Sequence, residues 1–339
     1  MSAPVFQPTE LRQWLSDGFH DAIGVLYDQP VIVVNLDDPA QDFELPRLAA
    51  LLSTVPILVV GFAAQSRDVS LDVFDALLCL KGEHRHWVGV AGIEPFIESI
   101  LAAPRAAVAV GQLLRVSEKS SVSDAVVAES LAYSLLQSGT DYQSWLSKQS
   151  ERKRHPAPNN SIVDVQRDDD VLSITLNRPE VRNAYGRQMR DELVEAFRLV
   201  DSDPTLKKAV VRGNGPTFCS GGDLDEFGSA PPPLDAHFVR TTRNAGIVLS
   251  HNSARIHFEV HGRCVGAGVE LPAFSQNVIA DSETTFRLPE VAMGLVPGAG
   301  GTASIPRRIG RWRALWLMVS GEEIDCERAL KWGLVDHRR

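Results

Sequence analysis

Three glycine-rich segments in the second half of the chain decide the fold: FCSGGDL at 218–224, HGRCVGAGVE at 261–270 and FRLPEVAMGLVPGAGGT at 286–302. Each of them couples glycines to a carboxylate. Glycine lets a backbone approach a ligand closely and point N–H groups at it, so two such loops facing one pocket can hold an oxyanion. A neighbouring carboxylate can move protons. One segment alone would be an ordinary turn between a strand and a helix, but the three together favour a site.

Strands and helices alternate around these segments, which favours an α/β fold. The runs 162–165 and 171–176 flank the polar residues 167–170 and predict a hairpin that leads into a helix. Further strands are predicted at 209–212, 256–260 and 278–280, and helices at 188–200, 236–249, 268–274, 303–309 and 312–319.

The first half alternates in the same way but lacks the glycine-rich segments. Buried strands are predicted at 31–36 (VIVVNL) and 55–62 (VPILVVGF), and helices at 74–80, 94–101, 121–137 and 141–146. The helix at 121–137 is the most regular of these. It opens with a Ser-x-x-Asp capping pattern, repeats apolar residues at helical spacing and stops before Gly139.

A polar segment separates the two halves. Charged residues, proline and asparagine replace the apolar periodicity in KQSERKRHPAPNNS at 148–161, which is typical of a linker. A chain of 339 residues also suits two domains of about 150 residues each. We therefore predict one domain at 1–155 and a second at 160–339.

Composition excludes several classes of protein. The 34 lysines and arginines against 43 acids give a net charge of −9, which disfavours nucleic-acid binding. The longest apolar stretch, at 55–64, is shorter than the roughly 20 residues of a membrane span. The first residues lack the apolar core of a signal peptide, so we expect a cytoplasmic protein. Four separated cysteines without a Cys-x-x-Cys pair predict reduced thiols and no metal site.

The second half resembles the enoyl-CoA hydratase/isomerase, or crotonase, family from about residue 162 to 335. The resemblance rests on the three glycine-rich segments together with ITLNRPEVRN at 174–183 and ALKWGLV at 329–335, in family order and spacing. It implies a crotonase-like spiral of ββα units whose loops bind acyl-CoA thioesters. Coenzyme A would be part of the substrate, so no separate cofactor is expected.

The resemblance also implies roles for individual residues. The two N–H groups that hold the thioester carbonyl oxygen fall on Gly222 and Ala267, and the two catalytic glutamates on Glu270 and Glu290. By resemblance Glu270 orients and deprotonates water, Glu290 protonates carbon, and the N–H of Gly298 also holds the water. Hydration needs one group that takes a proton and another that delivers one, whereas one glutamate suffices for isomerisation.

A further set of residues falls where the family binds coenzyme A. The set is Arg178, Arg182, Ala184, Ser220, Asp223 and Leu224. Of the two arginines, either one could meet a phosphate. The alternative is that they belong to a solvated basic loop.

The chain departs from the family at both ends. A usual crotonase continues beyond the Gly-Leu-Val motif into helices that cover the acyl pocket and build a trimer, whereas this sequence reaches Arg339 soon after the motif. Residues 102–154 look like that carboxy-terminal helical segment. We therefore expect residues 1–155 to form a degenerate crotonase-like α/β region whose helices substitute for the tail. The family's trimers and hexamers lead us to expect a homo-oligomer.

The sequence thus favours an enoyl-CoA hydratase that acts through two glutamates and a backbone oxyanion hole. Two alternatives stay open. One is an enoyl-CoA isomerase or another acyl-CoA-processing crotonase, because the same oxyanion hole supports several reactions. The other is a non-catalytic subunit that binds acyl-CoA or takes part in assembly.

Overall fold

The predicted alternation of strands and helices is present in both halves of the protein. The structure, a computed structural model, describes residues 3–17, 24, 26, 28–52, 55–149, 155, 160–229 and 231–339. Most of the predicted linker at 148–161 lies outside the described residues. The division into domains at 1–155 and 160–339 therefore stays a prediction.

The first half forms a parallel sheet with helices against it. The strands are β1 (Val5–Phe6), β2 (Val31–Asn35), β3 (Leu58–Gln65), β4 (Ala76–Lys81) and β5 (Val88–Gly89). They lie in the order β1-β2-β3-β4-β5, with every neighbouring pair parallel. The helices are α1 (Pro8–Ser16), α2 (Leu45–Leu52), α3 (Glu94–Ala102), α4 (Pro104–Ser117), α5 (Val122–Gln137) and α6 (Thr140–Ser147). In α5, the Ser121 side chain accepts a hydrogen bond from Asp124 N, as the capping pattern predicts.

The predicted helix at 74–80 is wrong, because this segment contains strand β4. Its residues Ala76, Leu77, Leu78 and Cys79 are all buried, since β4 lies inside a parallel sheet and packs on both faces. A short continuous apolar run carries no periodicity that separates a buried strand from a buried helix. The predicted strand at 55–62 is present but shifted, since β3 begins at Leu58 and continues to Gln65.

The second half begins with the predicted hairpin and continues with alternating elements. Its strands are β6 (Val163–Asp168), β7 (Val171–Leu176), β8 (Lys208–Gly213), β9 (Ile256–Val260), β10 (Arg263–Val265), β11 (Val278–Ala280), β12 (Thr285–Arg287), β13 (Ile324–Asp325) and β14 (His337–Arg338). Its helices are α7 (Arg187–Ser202), α8 (Pro233–Thr242), α9 (Ala245–His251), α10 (Ala267–Glu270), α11 (Gly301–Ile309), α12 (Arg311–Ser320) and α13 (Cys326–Trp332). The main sheet has the order β14-β11-β9-β8-β7-β6, and β10, β12 and β13 form a smaller sheet.

Two predicted helices of the second half are divided in the structure. The one at 236–249 becomes α8 and α9, because the Asn244 side chain accepts a hydrogen bond from Ile247 N at 2.9 Å and starts a new helix. The one at 268–274 becomes α10 followed by a 3-10 turn at Pro272–Phe274. Proline lacks the N–H that would continue an α-helix. The α/β fold class predicted from the sequence is confirmed.

The helices of the first half pack directly on the second half. Helix α5 contacts α8 and α11, and helix α4 contacts α11 and α12. Buried apolar residues of both halves belong to one continuous core, in which Leu58 and Leu113 join Leu315 and Trp316. This packing places one face of α5 beside the glycine-rich segment at 298–302.

No single helix of the described residues is long and apolar enough to cross a membrane. Helices α3 and α4 reach the required length and composition only as a pair, and they are bent by 104° at the break between them.

The buried carboxylate of Asp75 links three elements of the core. It accepts hydrogen bonds from the Arg115 guanidinium on α4 at 2.5 and 2.7 Å and from Val59 N on β3 at 2.9 Å. It also lies 3.6 Å from Arg311 Nη1 on α12. Asp75 therefore ties the sheet of the first half to a helix of the second.

Replacing Asp75 by Ala should lower the free energy of unfolding by about 3 kcal/mol or more, because the buried guanidiniums lose their carboxylate. Urea unfolding measures this change. The matched control is Glu323→Ala, which breaks an exposed ion pair with Arg263 and should cost less than about 1 kcal/mol. Equal losses for the two variants would contradict the linking role of Asp75.

Candidate active site

The three glycine-rich segments meet at one cavity of about 440 Å³. It is lined by all five residues with a predicted role in the reaction, which are Gly222, Ala267, Glu270, Glu290 and Gly298. Part of the wall comes from the first half, through Tyr133 and Gln137 on α5 and Tyr142 on α6. The structure therefore brings together the residues that the sequence singled out, and the helical segment at 102–154, expected to substitute for the family's carboxy-terminal helices, also lines the cavity.

Two backbone N–H groups at the cavity are free to bind a ligand. Among the described residues, no hydrogen bond uses the N–H of Gly222 or of Ala267. Ala267 is the first residue of α10, where an N–H has no partner within its own helix. The preceding Gly266 has φ +50°, and a Cβ there would lie 2.5 Å from Glu290 Oε1. Glycine is therefore required beside the carboxylate.

Glu270 is buried and held by the backbone at the start of α11. Its Oε2 accepts hydrogen bonds from Ala299 N at 2.7 Å and Gly301 N at 2.9 Å, and the residue is 2% exposed. Burial raises its pKa to about 7, while the two hydrogen bonds act in the opposite direction. Glu270 therefore changes charge near neutral pH, which suits a general base. The N–H of Gly298 donates to none of the described residues.

Glu290 lies in a different environment. Its Oε2 is buried and has no hydrogen-bond partner among the described residues. Burial, and then the charge of Glu270, raise the pKa of Glu290 well above its usual range. Because the charge of Glu270 raises the pKa of Glu290, Glu270 ionises before Glu290 as the pH rises.

A third carboxyl group, Glu129 on α5, lies on the other side of the same loop. Its oxygens accept hydrogen bonds from Gly300 N at 2.7 Å, Thr302 N at 2.8 Å and Thr302 Oγ1 at 2.7 Å. Burial, and then the charge of Glu270, raise the pKa of Glu129 to about 8. Sequence reasoning missed this residue. The sequence did contain a signal for it. Glu129 falls one turn after Ala125 and next to Ser130, on the face of the predicted helix that is buried.

One turn beyond Glu129, the Tyr133 ring closes the cavity over the loop. A Cβ at Gly298 would lie 2.6 Å from Tyr133 Cε2, so glycine allows the ring to approach the backbone. The Arg240 guanidinium stacks on the same Tyr133 ring, with its Cζ 4.7 Å from the ring centre. Burial raises the pKa of Tyr133 above its usual range, so the ring stays neutral.

Three of the residues predicted to bind coenzyme A, namely Ser220, Asp223 and Leu224, line the cavity. Arg178 does not line it. Its guanidinium and the Asp223 carboxylate form an ion pair at 2.5 Å, and each side chain is 7% exposed. The pair fixes the loop that contains Arg178 against the loop that contains Asp223.

The two other predicted residues lie beside this pair. Arg182 is exposed, and its carbonyl oxygen accepts a hydrogen bond from Ser220 N at 3.0 Å. Ala184 is 6% exposed and is not part of the cavity wall. Contact of these residues with coenzyme A stays a prediction. Within the described residues, no group of three or more histidine, cysteine or acidic side chains is arranged to hold a metal ion.

Comparison with known proteins agrees with the sequence resemblance. A sequence model of the enoyl-CoA hydratase/isomerase family matches residues 166–338. The chain is 34% identical over 171 residues to 2,3-dehydroadipyl-CoA hydratase of Escherichia coli K12, a match that covers 50% of this chain and 66% of that protein. It is 32% identical over 169 residues to 1,2-epoxyphenylacetyl-CoA isomerase of the same organism. That match covers 49% of this chain and 64% of the isomerase.

A solved structure of an enoyl-CoA hydratase subunit from Geobacillus kaustophilus HTA426 is 30% identical to this chain. Its TM-score is 0.49, and the match covers 52% of this chain and 68% of that one. The chain spans just under two thirds of the length of the curated relatives named above. Glu129 and helix α5 lie outside the range that the family model matches.

The raised pKa values predict how stability depends on pH. In the folded protein Glu270 and Glu129 keep protons up to pH values of about 7 and 8, whereas an ordinary glutamate releases its proton near 4.5. Between these values the folded state binds more protons than the unfolded state, so the free energy of unfolding should fall as pH rises from 5 to 8. Urea unfolding at several pH values measures the slope. Glu270→Gln removes one of the titrations and should flatten it, whereas an unchanged slope would contradict the assignment.

Proposed function

Since the chain belongs to the enoyl-CoA hydratase/isomerase family, we propose that it adds water across the 2,3-double bond of a 2-enoyl-CoA thioester. The observation that carries the proposal is the pair formed by Glu270 and Glu290. Both line one cavity, and their environments separate the proton acceptor from the proton donor. Further support comes from Gly222 and Ala267 at the same cavity, whose N–H groups donate to none of the described residues.

In the proposed reaction the Glu270 carboxylate takes a proton from water as the water oxygen bonds to C3. The electron pair of the double bond moves toward the thioester, and negative charge develops on the carbonyl oxygen. The N–H groups of Gly222 and Ala267 donate to that oxygen, and the loss of one such donor typically costs about 3 kcal/mol. The electron pair then returns to C2, and C2 takes the proton of neutral Glu290. Transfer of a proton from Glu270 to Glu290 restores the starting state.

The enoyl-CoA isomerase alternative uses a single carboxyl group. That group would remove a proton from C2 and return it to C4, so the second glutamate would have no necessary part. The relatives include a hydratase and an isomerase, and the pairing of Glu270 with Glu290 favours hydration. A cytoplasmic location and a trimer or hexamer stay predictions from the sequence.

Loss of the absorbance of the conjugated thioester measures hydration directly. Glu270→Gln and Glu290→Gln should each lower kcat by about 100-fold or more, because each removes one proton transfer. The exposed Glu323→Gln serves as the control and should keep wild-type kcat. Circular dichroism checks that the variants fold.

Three results would contradict the proposal. One is wild-type kcat in either of the two variants. Another is a gain of conjugated absorbance from 3-enoyl-CoA, without hydration of 2-enoyl-CoA, which would identify an isomerase. The third is binding of acyl-CoA without any turnover, which would favour the non-catalytic subunit.

A further inference from the structure

Glu129 and Glu270 divide four successive backbone N–H groups between them. Ala299 N and Gly301 N donate to Glu270, whereas Gly300 N and Thr302 N donate to Glu129. The two carboxyl groups therefore hold residues 299–302 from opposite sides. Each of them uses every second N–H, so a shift of the loop toward one carboxyl group breaks hydrogen bonds to the other.

The place of these N–H groups in the fold explains why they need two acceptors. Helix α11 begins at Gly301, and the first N–H groups of a helix have no partner within the helix. Gly300, Gly301 and Thr302 are all buried, so water cannot take the place of the missing acceptors. Without Glu129 the N–H of Gly300 and that of Thr302 would be buried and unsatisfied.

Glu129 itself does not reach the reacting groups. It is 2% exposed, and the cavity wall formed by the described residues does not include it. The charged and titratable groups that face it are Glu270, Glu290 and Arg240. Burial and the charge of Glu270 keep Glu129 neutral until about pH 8. The neutral carboxyl group can keep its hydrogen bond with Thr302, because its O–H can donate to the Thr302 hydroxyl, which then accepts instead of donating.

We propose that Glu129 is a positioning residue, which fixes residues 299–302 so that the N–H groups of Ala299 and Gly301 hold Glu270 toward the cavity. The inference rests on the proposed hydration of 2-enoyl-CoA. It assigns to helix α5, which lies outside the range matched by the family model, a part in aligning the general base. Glu129 acts through the loop and transfers no proton to the substrate.

The first test compares Glu129→Ala with Glu129→Gln in the full chain. Glu129→Ala should lower kcat by about 10- to 100-fold, because small displacements of a catalytic group cost that much. KM should change by less than about threefold, because the cavity wall is intact. Glu129→Gln should restore part of kcat, since its amide oxygen accepts from one N–H and its charge matches that of the neutral carboxyl. Asp124→Asn, an exposed position on the same helix, is the control and should behave as wild type.

The pH profile of kcat separates positioning from a loss of folded enzyme. The low-pH limb of the profile reports ionisation of Glu270. In Glu129→Ala this limb should move to higher pH, because the hydrogen bonds that lower the pKa of Glu270 weaken while its burial continues to raise it. A smaller folded fraction would lower kcat by the same factor at every pH and leave the limb in place.

Amide hydrogen exchange tests the loop without any need for turnover. Exchange at Gly300 and Thr302 should be faster in Glu129→Ala than in the wild type, with residues outside 298–302 unchanged. Thr302→Val, which removes only the hydroxyl, gives a second and milder variant and should raise the exchange rates less. If the wild type hydrates no enoyl-CoA, the proposed function fails, and the exchange rates still decide whether Glu129 holds the loop.

Two outcomes would overturn the positioning role. One is a Glu129→Ala variant whose kcat, pH limb and exchange rates all match the wild type. The other is a Glu129→Gln variant that is as inactive as Glu129→Ala while its loop exchanges at the wild-type rate. The second result would make Glu129 a group that transfers protons itself.

Discussion

Burial of carboxyl groups against the start of helix α11 is the constraint on which the site depends. A carboxylate away from water is costly unless hydrogen bonds stabilise it, and helix α11 supplies N–H groups that have no partner of their own. Glu270 accepts hydrogen bonds from Gly301 N at the start of the helix and from Ala299 N just before it, and it has a pKa of about 7. One oxygen of Glu290 has no hydrogen-bond partner in the part of the chain that the structure describes, and burial raises the pKa of Glu290 well above the usual range. Different surroundings therefore give two buried residues of the same type different pKa values, which supports the proposed roles of base and acid.

The same constraint joins the two halves of the chain. Helix α5 presents Glu129 and Tyr133 one turn apart, which places both on the face that meets the loop at 298–302. Glu129 binds the loop, and the Tyr133 ring packs against Gly298. Helix α5 packs on α11, while the Asp75 ion pairs tie α4 and the sheet of the first half to α12. The first half therefore forms part of the cavity wall as well as supporting the fold.

Sequence patterns predicted most of the second half, because its glycines and carboxylates occur in closely spaced segments. The structure places Gly222, Ala267, Glu270 and Glu290 at one cavity, while their roles stay predictions. Glu129 was missed because its partners, at 300 and 302, are about 170 positions away along the chain. Only the packing of α5 on α11 brings them together. A local pattern cannot report such a contact.

The errors in the first half have a similar cause. The segment that forms β4 was predicted as a helix because a continuous apolar run lacks a period, and only its place between two parallel strands decides its structure. Arg178, in the second half, was predicted to contact coenzyme A because its loop resembles the family loop that binds coenzyme A. The structure adds that the Arg178 guanidinium is buried against Asp223. The likeness of residues 1–155 to a degenerate crotonase half stays a prediction.

The surroundings of the two glutamates imply that Glu270 ionises at a lower pH than Glu290, so that Glu290 keeps its proton while Glu270 is charged. Infrared difference spectroscopy of the wild type against Glu290→Gln tests it most directly, because neutral and ionised carboxyl groups absorb at different frequencies. The account predicts that the variant loses a band of a protonated carboxyl group. Loss of an ionised carboxylate band instead would contradict the assignment of Glu290 as the acid.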